Sequence, residues 1–126
     1  MQKLKRIHAT PAAMDLIHSL QKEFGQLMFH QSGGCCDGSS PMCFVKGDFK
    51  VGYSDVGLGH IEDIEFWMNK DQFEYWQHTE LTLDVVKGRG SSFSIEIPTG
   101  KRFMIHSRMY SDEESKNLEP LFFKED

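Results

Sequence analysis

Cysteine is scarce in this chain of 126 residues: there are three, and all of them fall between positions 35 and 43. An odd number of thiols argues against a disulfide-stapled scaffold. The N-terminus, MQKLKRIHAT, has basic residues but lacks the apolar stretch of a secretory signal. Together these features predict a reducing, cytoplasmic setting with free or metal-bound thiols. No apolar run approaches the ~20 residues of a membrane span, so no membrane is expected. Positive charge is not in excess either, with 14 Lys and Arg against 19 Asp and Glu and a net charge of −5. That balance gives no electrostatic footprint for nucleic acid or an anionic membrane. Alanine occurs only at 9, 12 and 13, against ten phenylalanines, a balance that leans towards sheet. Repeats, linkers and low-complexity tracts are missing, and the length is that of a single domain spanning 1–126.

What is present reads as follows. Thr10-Pro11 is an N-cap residue with proline at the first helical position. Ala13, Leu16, Ile17, Leu20 and Phe24 then keep helical spacing up to Gly25, a left-handed cap. His18 shares neither that pattern nor a partner and reads as solvated. Leu27, Met28 and Phe29 predict a short buried strand leading to His30. The stretch 46–63, rich in Gly and Asp, offers strands at 49–53 and 56–60, and 64–68 is a clearer one. Asn69 with Gln72 has the pattern of a capping box before a helix over 70–77. Alternating apolar residues predict strands over 80–86, 92–97 and 102–108 in one antiparallel sheet. The last two would close through Thr99-Gly100-Lys101. The polar face of that sheet carries Asp84, Glu96, His106 and Arg108, with His106 paired to a carboxylate. Ser111 with Glu114 starts a short final helix that Pro120 stops. The expected fold is α+β, an N-terminal helix packed on a largely antiparallel sheet or small barrel, with a short C-terminal helix.

The chemistry-bearing stretch is QLMFHQSGGCCDGSSPMC, residues 26–43. Adjacent Cys35 and Cys36 are poor disulfide partners, because their Cα atoms lie only about 3.8 Å apart. Glycines on both sides permit a loop in which thiols converge. A soft metal such as zinc, iron or copper is an economical reason to gather Cys35, Cys36 and Cys43, with His30 or His78 completing the sphere and His60 in reserve. The spacing is not that of a paired C-x2-C knuckle. A thiol redox enzyme is the second reading: Cys35 or Cys36 as nucleophile, Cys43 resolving, and His30 lowering the thiol pKa. The third is a metal-free interaction partner of a larger enzyme, with cysteine serving as a small buried residue. Asp84 and Glu96 would be an acid–base pair if their strands are neighbours, against the plainer reading of a solvated sheet face. GRGSS at 88–92 leads into a strand rather than a helix, so it is no phosphate loop. Gly38-Ser39-Ser40 lacks the elbow of a serine hydrolase.

HQSGGCCDGSSPMC and YWQHTELTLDVVKGRGSSFSIEIPTGKRF together closely resemble the uncharacterised bacterial family of domain of unknown function 779. The likeness runs from ATPAAMDLI to SRMYSDEE. The resemblance implies no activity and assigns no residues. Genes of that family often lie beside aldehyde dehydrogenase genes, which implies an accessory role in aldehyde or alcohol metabolism with an aldehyde dehydrogenase as partner. Homo-oligomerisation stays open.

Overall fold

The structure is a computed structural model that describes residues 3–31, 40–88 and 94–124. After a short strand, β1 (Ile7–Ala9), helix α1 (Pro11–Phe24) begins as its sequence dictates. The Thr10 hydroxyl accepts the Ala13 N–H at 3.1 Å, and Pro11 gives up a donor the first turn would leave unused. The helix buries Ala13, Leu16, Ile17 and Leu20, each large side chain contributing roughly 1.5–3 kcal/mol. Gly25 closes it at φ +84°, ψ −142°. That is a positive-φ end but not the left-handed cap expected. His18 is not free: its Nε2 lies 2.7 Å from Glu62 Oε1.

The remaining elements are β2 (Leu27–Gln31), β3 (Met42–Val45), β4 (Asp55–Ile61), β5 (Ile64–Asn69), α2 (Lys70–Trp76), β6 (Thr79–Lys87), a 3-10 turn (Ile97–Thr99), β7 (Lys101–Met109), α3 (Asp112–Ser115) and β8 (Phe122–Phe123). They form two sheets, ordered β1-β6-β7 and β3-β2-β5-β4-β8, and no closed barrel is seen among the described residues. Two of the pairings, β1–β6 and β2–β5, are parallel. Both join segments far apart in sequence, which short-range patterns do not announce. The sheets meet at Phe29. Its ring stacks on Phe66 with centroids 5.9 Å apart and meets Phe103 edge-on at 5.0 Å. No helix among the described residues is long and apolar enough to cross a membrane.

Several expectations are corrected. Of the strand expected over 92–97, residues 94–97 are described and form no strand. Ser94 leads into a turn, and Pro98 sits in the following 3-10 helix, where it has no N–H to give a ladder. β6 instead pairs directly with β7, from Thr79↔Met109 to Lys87↔Lys101, and β1 supplies the third strand. The segment 49–53 forms no strand, and Phe49 packs onto other rings. Asn69 does cap α2, but through the Asp71 N–H at 2.9 Å rather than in a reciprocal box. The Ser111–Glu114 box is present in both directions. Its helix ends at Ser115, with Lys116 as C-cap, before Pro120 is reached.

Candidate functional site

β2 and β3 form an antiparallel pair whose last registered partners are His30 and Met42. The chain that leaves and re-enters there carries Cys35 and Cys36, which lie outside the described residues. Side chains alternate along a strand. Phe29 faces the shared core, and Cys43, its cross-strand partner, faces the same way. His30, one residue on, faces away. The histidine and the third cysteine of the sequence reading are therefore neighbours along the hairpin but sit on opposite faces of it.

On its face, His30 is 3% exposed. Its Nε2 is held by Asp55 Oδ1 at 2.9 Å, and Asp55 Oδ2 accepts the Gly52 N–H, also at 2.9 Å. The register explains the meeting. β5 runs between β2 and β4, with Trp67 opposite both His30 and Gly57, and Asn69 opposite Asp55. Asp55 opens β4 at the edge of the tight 52–55 turn, so its carboxylate reaches back across β5 to the imidazole. Phe49 covers the imidazole, its ring tilted over His30 at 4.4 Å and stacked on Phe44 at 5.0 Å. A buried imidazole fixed by a carboxylate through one nitrogen is an oriented base or ligand, since the partner decides which nitrogen carries the proton.

On the core face, Cys43 is fully buried. Its N–H donates to Ser94 Oγ at 2.8 Å, and its carbonyl accepts the Ile95 N–H at 3.0 Å. The Ser94 hydroxyl donates to Glu96 Oε1, and the other oxygen, Oε2, has no hydrogen-bond partner among the described residues. Burial pushes the Cys43 thiol well above its usual pKa, and the neighbouring Glu96 pushes it further. Burial also raises the Glu96 carboxyl, against the pull of the Ser94 hydroxyl. Alongside, the Ser40 hydroxyl donates to the Phe103 carbonyl at 2.6 Å and accepts from Arg102 Nη1 at 3.1 Å. A thiol kept protonated in a dry pocket is a poor nucleophile and a poor ligand.

The other histidines do not join this region. His78 is exposed after α2, where its carbonyl accepts the Tyr110 N–H at 3.0 Å. It marks the Thr79–Met109 end of the β6–β7 pair, whereas Phe103, beside Ser40 and Phe29, is opposite Val85. Six residues of strand separate the two, about 20 Å. His60 is exposed and stacks on Phe122 at 5.0 Å. His106 Nε2 meets Asp84 Oδ2 at 3.0 Å across the polar sheet face, as expected. Asp84 also accepts the Thr10 hydroxyl at 2.9 Å and the Val85 N–H at 2.8 Å, and these bonds hold its pKa low. Glu96 is absent from that face, so the two carboxylates form no acid–base pair. Among the described residues, no group of three or more His, Cys, Asp or Glu side chains is gathered as a metal cluster would require. Asp55 is the site residue that sequence reasoning missed, for nothing in the spacing of 25 residues to His30 signals the contact.

No curated protein and no solved structure matches this chain. Residues 16–109, the greater part of it, match the family described as Domain of unknown function (DUF779). On that match the chain, an α+β fold in two sheets, belongs to the DUF779 family.

Proposed function

We propose that this is a metal-binding protein whose site lies at the foot of the cysteine loop, with His30, Cys35 and Cys36 as ligands for a soft divalent transition metal such as zinc, iron or copper. One observation carries the reading: His30 is buried and its Nε2 is fixed by Asp55. A histidine that binds metal through one ring nitrogen commonly gives the other to a carboxylate, which sets the tautomer and strengthens the ligand. The two thiols follow His30 by five and six residues in the chain. Cys43 is left out of this sphere, because it faces the opposite side of the sheet and burial opposes its thiolate. The same feature weighs against a redox cycle in which Cys43 resolves a disulfide, since the attacking species in exchange is the thiolate. The family resemblance makes an aldehyde dehydrogenase the first partner to test, by co-purification.

Elemental analysis of reduced protein purified without chelator tests the reading. Wild type should carry stoichiometric metal, and more of it at pH 8 than at pH 5, because the ligands bind deprotonated. Cys36→Ser and His30→Ala should lose most of it, while Cys43→Ser should retain it. Wild-type protein that stays empty after dialysis against zinc, cupric and ferrous ions would refute the proposal.

A further inference from the structure

A second feature lies at the C-terminal end of α2. Between the start of β1, α2 and the segment after α3 is a cavity of about 360 Å³, lined by Arg6, Phe73, Gln77, His78, Ser115, Leu118 and Leu121. Volumes of roughly 300–1,000 Å³ are those of small-molecule sites. Its walls divide by chemistry. Phe73, Leu118 and Leu121 offer half-buried apolar surface, and Arg6 supplies the charge.

Arg6 is half-buried, and no carboxylate among the described residues lies within ion-pair distance of it. Its fixed partners are neutral. Nε donates to the Glu119 carbonyl at 3.1 Å, and Nη1 reaches the Gln77 carbonyl at 3.5 Å. The guanidinium carbon sits 5.7 Å from the centre of the Phe73 ring. These contacts tie the guanidinium to the end of α2, which is a structural task in itself. They use only part of its five donors, and they leave a positive charge with desolvation opposing it. In a chain of net charge −5, a cation kept half-buried without an acidic partner is conspicuous. Its contrast is Arg108, which is flanked by Glu80 at 3.4 Å and Glu114 at 2.9 Å.

We propose that this cavity binds a small organic carboxylate, its carboxylate on the free donors of Arg6 and its apolar body against Phe73, Leu118 and Leu121. A single guanidinium matches one carboxylate in fork geometry. A phosphate dianion would call for more positive charge than one arginine provides. The apolar walls favour a hydrocarbon or aromatic body over a sugar.

Hexanoate is the probe, with hexan-1-ol as its uncharged counterpart, titrated into the full chain and followed by calorimetry and by amide NMR shifts. Hexanoate should bind saturably at one per chain, at least tenfold more tightly than the alcohol. The shifts should be centred on Phe73, His78 and Leu118. Arg6→Gln should remove that preference. Because Arg6 also supports α2, Leu121→Glu is a second variant: it leaves Arg6 in place and sets a competing carboxylate in the cavity, so hexanoate affinity should fall at least tenfold. Inorganic phosphate binding more tightly than hexanoate would overturn the carboxylate assignment. No saturation below about 10 mM hexanoate, or equal affinity for acid and alcohol, would overturn the site itself.

Discussion

Replacing Asp55 with alanine should destabilise the protein by about 3 kcal/mol, with the orphaned His30 Nε2 as the main cause. The imidazole is 3% exposed and covered by Phe49, so water does not easily replace the carboxylate at 2.9 Å. A buried donor left without its partner costs roughly 1–3 kcal/mol, at the upper end when a charged group was involved. The Gly52 N–H loses the other oxygen, but that turn is only half-buried and a water can reach it, so it adds less than about 1 kcal/mol. Unfolding entropy of roughly 2.1 cal/mol/K per residue converts the total into a fall in Tm of about 10 °C for a chain of this size. Urea and thermal denaturation, followed by far-UV circular dichroism on metal-free protein, measure both numbers. His30→Leu combined with Asp55→Ala should lose clearly less than the sum of the two single changes, because it removes donor and acceptor together. A loss below about 0.5 kcal/mol for Asp55→Ala, or strict additivity in the cycle, would refute the claim that the pair is a coupled buried unit.

Other outcomes follow from the same geometry. Leu83→Ala empties a fully buried position between α1 and the β1-β6-β7 sheet and should cost about 2–5 kcal/mol by urea denaturation. The bonds from Arg108 hold the Glu114 carboxyl down to about 2, so the folded state binds its proton later than the unfolded chain, whose glutamates titrate near ~4.3. Its contribution is complete above that unfolded value and is lost as pH falls to about 2; Glu114→Gln should flatten the stability profile in that window. Burial raises Glu96, which has the opposite sign: stability falls as pH rises past the unfolded value, and Glu96→Gln should relieve that fall on a pH series of denaturation midpoints. A methyl group at Gly57 would collide with the Phe122 ring. Gly57→Ala should therefore displace β8 and deshield the Trp67 ring, which Phe122 meets edge-on at 4.9 Å, seen as a red shift in tryptophan emission.

The parts of the fold that sequence alone revealed are those set by near neighbours. Thr10-Pro11 and Ser111 with Glu114 specify their helix starts within four residues, and both caps are present. The alternation of Leu81, Leu83 and Val85 against Phe103 and Ile105 gives two strands and the correct buried face. The same alternation misled at Ile95 and Ile97, because a buried carboxylate and a proline in the next turn outweigh a period of two. Parallel pairing left no local mark, so β1 and the β2–β5 partnership were invisible. That had a direct cost at the site. His30 stands out in the sequence for its place beside the thiols, but its partner Asp55 is on β4, two strands away across β5. Cys43 and His30 are near in sequence, but one step along a strand reverses the face, so they point to opposite sides of the hairpin.

The parallel pairing of β1 with β6 sets an order in time as well as in space. Ile7 and Ala9 lie opposite Leu81 and Leu83, so β1, although translated earlier, cannot find its partner until β6 has been made. At synthesis rates of about 5–20 residues per second, that interval is roughly 4–15 s. Throughout it, Ile7 and the apolar stripe of α1 have been translated but lack the strand they pack on. The β2–β3 and β4–β5 hairpins close over short distances and can form during the wait. The nascent N-terminal helix is therefore the segment a chaperone would meet, and the step that ends its exposure is the late docking of β1 along β6.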